Sequence, residues 1–334
     1  MRTDPELPAV FTRAEARAAG LTDRQIDRRL AAGRFRAVRR GVLVVADAAE
    51  PGGPTPLLER IRAAWRAGPA GLVLSHHTAA AAWGLPTPLG KELPVCATRR
   101  PDGRACTRYY PDLTVEVASL PPVDVIRHDG LLITSAARTV ADCLRHLDRR
   151  DGLAIADAAA HQGLTDVAEV ADVLARCAHW PGARTAHELV DLVDGRRESP
   201  LESWSALAFH DAGLAPPVPQ VQLLDAHRRA TARVDYWWAE GVAGEADGRA
   251  KYLLRAAARA GATDEALVAV LTAERSREQA VRELGAELER WGAGDVLDPA
   301  RTARLVARIT RAREVAAGRG CTFRVALTPP PVRR

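Results

Sequence analysis

Two helix-start signals ten residues apart constrain this chain more tightly than any other feature. Thr12-x-x-Glu15 and Thr22-x-x-Gln25 are capping boxes: the hydroxyl accepts from the backbone N–H three residues on, and the Glu or Gln reaches back. Gly20 and Gly33 follow as stop signals, because glycine readily takes the left-handed conformation that ends a helix. The spacing predicts two short helices joined by a tight turn. Residues 34–45, RFRAVRRGVLVV, then alternate basic and apolar side chains around Gly41, which predicts a two-stranded wing. A winged helix-turn-helix over 1–50 is the expectation for this stretch.

Charge placement adds a partner. Residues 1–46 hold ten arginines against five acids, a surplus equal to the +5 of the whole 334-residue chain. A basic excess confined to one small module points to a polyanion, here double-stranded DNA. On the second helix Arg24 and Arg28 share one face, and Gln25 and Arg29 the next. Arginine can pair two donors with guanine, and glutamine can pair with adenine, in the major groove. Arg34, Arg36, Arg39 and Arg40 on the wing would hold phosphates, a salt-sensitive and sequence-independent contribution. A solvated helical hairpin without a ligand is the other reading of these residues.

A Pro/Gly/Ala linker near 46–55 separates this module from a central mixed α/β domain over 55–195. Helices are expected over 57–67 and 76–83, then strands near 93–98, 113–118, 123–127 and 131–134, with Asp129-Gly130 turning the last hairpin. Ser135 caps a helix over 136–147, and three more helices follow to residue 193. His76 and His77 read as helix-start or packing residues rather than a ligand set. Three pieces occur in order: Val38-Arg39-Arg40-Gly41-Val42, Ser75-His76-His77-Thr78-Ala79-Ala80 closing on Gly84-Leu85, and Ser135-Ala136-Ala137-Arg138-Thr139 with Asp142. Together they resemble the AbiEi family of antitoxins and transcriptional regulators of type IV toxin–antitoxin systems, over about residues 8–195. The resemblance implies a winged helix that binds DNA and represses its own operon. It also implies a following domain that neutralises a nucleotidyltransferase-like toxin without necessarily binding it.

Residues 233–252, RVDYWWAEGVAGEADGRAKY, are the densest candidate site. Asp235 follows a β-prone run, and Glu245, Asp247 and Lys251 come soon after. Carboxylates are hard ligands suited to Mg²⁺. The same glycine-rich acids would also suit a solvated hairpin turn. Upstream, Ser199-Pro200-Leu201-Glu202 opens a helix, and Glu202 suits both a capping box and a metal site. Strands are expected over 218–224 and 231–238. A helix with Glu, a second strand with Asp and a third with Glu-x-Asp resemble the PD-(D/E)XK nuclease core, in particular its very-short-patch-repair-endonuclease-like branch, over 199 to about 291. The resemblance implies a Mg²⁺ held by Asp235 and Glu245, with Glu202 assisting. Asp247 would be a further ligand or position water, and Lys251 would stabilise developing negative charge. The usual Glu-x-Lys reads Glu245-Ala246-Asp247 here, and Lys251 is the nearest lysine. Two glycines, 241 and 244, fall where an apolar third strand is expected.

Helices are expected over 253–260, 272–289 and 299–313, with a last strand beginning at Arg290-Trp291 and a disordered tail over 326–334. The five cysteines show no Cys-x-x-Cys spacing and suit a reducing cytoplasm. No apolar run approaches the ~18–20 residues needed to span a bilayer. The fold class expected is α+β and multidomain: the winged helix, the central mixed α/β domain, and a restriction-endonuclease-like α/β core over 196–325. The first functional reading is a DNA-binding regulator of antitoxin type fused to a nuclease-like domain. The alternative is a Mg²⁺-dependent DNA endonuclease targeted by its winged helix.

Overall fold

A computed structural model describes residues 7–46, 57–67, 71–88, 93–102, 106–246, 278–319 and 323–329. The protein is mixed α/β and divides into two compact units, Met1–Cys143 and Leu144–Arg334.

The first unit opens with strand β1 (Val10–Thr12), helices α1 (Arg13–Ala18) and α2 (Asp23–Ala31), and strands β2 (Phe35–Arg39) and β3 (Val42–Val45). Both capping boxes form, with Thr12 and Thr22 each accepting from the third backbone N–H. The strands make an antiparallel sheet in the order β1-β3-β2. One face of it packs Phe11, Phe35 and Leu43 against Ala16 and Ile26 of the two helices. The other face meets helix α3 (Leu57–Ala67) through Ala63.

Next come β4 (Val73–Leu74), α4 (His76–Ala82), β5 (Val95–Arg99), β6 (Arg108–Tyr109), β7 (Leu113–Val117), β8 (Val125–His128), β9 (Leu131–Thr134) and α5 (Ala136–His146). Their six-stranded mixed sheet runs β6-β7-β5-β4-β9-β8, with β5–β7 and β4–β9 parallel. Asp129 and Gly130 both take positive φ, which is what a two-residue hairpin turn matched to strand twist requires. Arg138 of α5 is 1% exposed and lies between Asp124, at 3.1 Å, and Asp142, at 2.9 Å. His76 is buried, with Nδ1 2.8 Å from Ser75 Oγ and Nε2 3.5 Å from Glu116. His77 Nε2 is hydrogen-bonded to Pro94 O at 2.9 Å.

The second unit carries α6 (Arg149–His161), α7 (Val167–Arg176), α8 (Ala183–Val190), α9 (Pro200–Asp211), β10 (Val218–Leu224), β11 (Ala230–Trp238) and β12 (Val242–Ala246). After a helical segment at 278–283 come β13 (Glu287–Trp291), α10 (Ala293–Leu297), α11 (Pro299–Arg319) and β14 (Arg324–Leu327). The sheet order is β13-β12-β11-β10-β14; β12–β13 is parallel and the other pairs are antiparallel. Its two faces bury separate cores. One is Tyr236, Trp238 and Trp291 against Phe209 of α9 and Ile309 of α11; the other is built on Val221, Val234 and Trp237.

Three expectations are corrected. The helix expected to reach 289 stops at residue 283, because Gly285 turns left-handed at φ +84 and releases the chain into β13. Arg290 and Trp291 therefore end that strand rather than begin it. The tail expected from 326 still holds Ala326 and Leu327 in β14, where they pair with Gln222 and Val221. The helix expected over 253–260 lies outside the described residues. Gly244, an apparent weakness in β12, has a packing reason: a Cβ there would lie 2.6 Å from the Trp291 ring. Among the described residues, no helix is long and apolar enough to cross a membrane.

Candidate functional site

The N-terminus of α9 sets the first carboxylate. Ser199 caps the helix, accepting from Glu202 N at 3.3 Å, and Pro200 follows at its first turn. The Glu202 side chain turns back: Oε1 accepts from Ser199 Oγ at 2.7 Å, and Oε2 accepts from Glu198 N at 3.1 Å. Tyr236 anchors the same turn by donating its hydroxyl to Glu202 O. Glu202 is 4% exposed, so its charge sits away from water.

The sheet supplies the rest. Asp235 of β11 accepts from Ala246 N through Oδ2 at 3.0 Å, which ties it to β12. Tyr236 pairs with Gly244, so the antiparallel register continues to Asp235 beside Glu245. Glu245 is buried in β12. Gln220 of β10 joins the group: its Nε2 donates to Glu202 Oε2 at 2.8 Å and to Asp235 Oδ1 at 3.4 Å. Three side chains from three elements thus meet, two of them carboxylates, and Glu245 stands on the strand beside Asp235. Burial, and then the Asp235 charge, push the Glu202 carboxyl up to about 7, against the lowering effect of Gln220, Ser199 and Glu198. Carboxylates gathered away from water resist full ionisation unless positive charge arrives.

Asp235 and Glu245 carry the carboxylate oxygens that a hard divalent cation takes; both oxygens of Asp235 also accept hydrogen bonds, from Gln220 and Ala246 N, as both oxygens of Glu202 do from the helix cap and Gln220. Asp247 and Lys251 lie outside the described residues. Gln220 was missed in the sequence, where it reads as one polar residue in a strand.

At the N-terminal module the structure sorts the eight candidate DNA contacts. Arg24, Arg28, Arg34 and Arg40 are exposed. The Gln25 amide oxygen accepts from Thr22 N at 2.8 Å and Thr22 Oγ1 at 3.0 Å, so the bidentate adenine pairing expected of it would require breaking the cap. Arg29 lies 5.8 Å over the Phe35 ring and donates to Gln25 O. Arg36 pairs with Glu59 at 2.6 Å and Arg39 with Asp112 at 3.1 Å, so phosphate contact by these two competes with bonds inside the protein.

No family model matches the chain. It is similar to two uncharacterized proteins of Mycobacterium tuberculosis, from the CDC 1551 / Oshkosh strain and the H37Rv strain. Each is 34% identical over 113 residues, which is 34% of this chain and 41% of the relative. The match thus spans less than half of those relatives' length.

Proposed function

We propose that the second unit carries a divalent-cation-dependent phosphodiesterase site of PD-(D/E)XK type, and that the N-terminal module is a winged helix that brings the protein to double-stranded DNA. The observation that carries this reading is that Gln220 joins Glu202 and Asp235, with Glu245 on the neighbouring strand in the register that sets it beside Asp235. The element order supports it: a helix, an antiparallel meander of three strands, and a later strand parallel to the third. Asp235 and Glu245 would hold Mg²⁺ or Mn²⁺. When bound, such an ion supplies positive charge and activation of water for phosphodiester hydrolysis. The protein's own part is to fix the carboxylates: Ala246 N holds Asp235, and the α9 cap holds Glu202.

The test is calorimetry with Mn²⁺ and a nicking assay on plasmid DNA, for the wild type and Asp235→Ala/Glu245→Ala. Metal binding and nicking that are both lost in the double variant support the site. A wild type that neither binds the ion nor nicks DNA sinks it.

A second reading, a DNA-binding regulator of AbiEi antitoxin type acting against a nucleotidyltransferase-like toxin, is favoured by a separate observation. The reciprocal capping box of Thr22 and Gln25 fixes the start of α2, on which Arg24 and Arg28 are both exposed. Footprinting on the DNA upstream of the coding region tests it, and the two activities are compatible in one chain.

A further inference from the structure

A strand interior is an unusual place for a residue other than glycine to turn left-handed. Gln220 does so, at φ +54 in β10, where glycine would sit without steric cost. The ladder is interrupted there. Pro219 pairs with Tyr236 and Val221 with Val234, and Gln220 and Asp235 lie between these pairs. Val234 and Tyr236, two residues apart, consequently join opposite cores, against the period of a regular strand.

The irregular backbone serves one side chain. Gln220 is 1% exposed, and its Nε2 reaches Glu202 and Asp235 at once. Those two contacts fix the orientation of the amide, because the flipped group would set its carbonyl oxygen against two carboxylates. Oε1 is then left buried without a hydrogen-bond partner among the described residues. A buried acceptor with no donor is costly and calls for an explanation. Here it sits on the one side chain shared by two acids, where a hydrated divalent cation would bring the missing hydrogens on its water. Lysine or arginine in this place would neutralise the carboxylates and weaken their attraction for a cation. An amide donates two hydrogens and leaves the negative charge intact.

We propose that Gln220 is a positioning residue of the cation site. Its N–H groups hold Glu202 and Asp235 together, and its carbonyl accepts a hydrogen bond from water on the cation. The inference rests on the cation-dependent reading of the site given above. It assigns the left-handed backbone a role: it delivers the amide to the acids.

The experiment titrates Mn²⁺ into the full chain and follows free Mn²⁺ by electron paramagnetic resonance, with thermal unfolding recorded in parallel. Gln220→Gly accepts the φ of +54 and lacks the amide; Gln220→Met keeps the bulk and lacks both polar atoms; Gln220→Asn keeps an amide. Outer-shell partners typically govern metal affinity by about 10- to 100-fold. A loss of that size in the Gly and Met variants, with partial recovery in Gln220→Asn, is the expected result. Wild-type Mn²⁺ affinity in a folded Gln220→Gly protein overturns the assignment. If Asp235→Asn still abolishes binding in that case, the cation site itself stands. A wild type without Mn²⁺ affinity overturns both. Should Gln220→Met fail to fold, the glycine variant decides.

Discussion

Single side chains in this protein are often held by burial against their own chemistry, and two of them make clean tests. Burial pushes His77 down to about 4, against the hydrogen bond to Pro94 that favours the charged ring. The unfolded chain therefore takes up a proton near 6.5 that the folded protein refuses until about 4. Stability is full above that window and falls as pH drops through it. Between pH 7.5 and pH 5 this residue should account for a loss of at most about 2 kcal/mol. Urea unfolding of the wild type and His77→Gln at both pH values checks it; an equal acid loss in the two proteins rules it out. Gly244 tests packing instead of charge. A Cβ would meet Trp291 at 2.6 Å and Trp238 at 3.0 Å, both ring carbons in the aromatic core beneath the site. Gly244→Ala should cost about 1–3 kcal/mol by overpacking and alter tryptophan fluorescence. Full stability with an unchanged spectrum would mean that the rings shift freely.

Elements follow the same logic at the next scale. Helix α5 is tied to its surroundings by Arg138, which bonds Asp124, Asp142 and Ser119 O from a fully buried position. Removing the cation would leave two buried carboxylates uncompensated. Arg138→Met should therefore destabilise the first unit by about 3–5 kcal/mol, read by chemical denaturation. A loss below 1 kcal/mol would mean that water reaches the acids. The elements readable in the sequence were those with local chemistry. Thr12, Thr22 and Ser199 each mark a helix start because a cap needs only four residues. Glu202, Asp235 and Glu245 stood out as acids among apolar neighbours. What escaped depends on partners distant in sequence. Strands β4 and β6 are two residues long and exist only through their ladders. Strand β13, ELERW, has no apolar alternation and is defined by its parallel pairing to β12. Gln220 escaped because its meaning lies in a left-handed φ and two carboxylates on other elements.

The whole molecule divides the proposed work between its units. The exposed arginines of α2 belong to the first, and Asp235 and Glu245 to the second. If DNA is engaged by the N-terminal module, affinity should fall steeply with salt, with a log–log slope of about 0.9 for each phosphate neutralised. Arg34→Ala/Arg40→Ala should then lower that slope by about two. Arg24→Ala/Arg28→Ala should weaken binding to a specific site more than binding to random DNA, because base contacts carry discrimination and phosphate contacts do not. Neither pair should change Mn²⁺ affinity. Asp235→Asn/Glu245→Gln should behave in the opposite way, abolishing Mn²⁺ binding while leaving the salt slope intact. Fluorescence anisotropy on labelled duplexes at three salt concentrations, paired with Mn²⁺ titration of the same preparations, separates the two. Loss of DNA binding together with Mn²⁺ binding in Asp235→Asn/Glu245→Gln would mean that DNA is gripped by the acidic site itself through its cation. The N-terminal arginines would then be supporting charge rather than the reader.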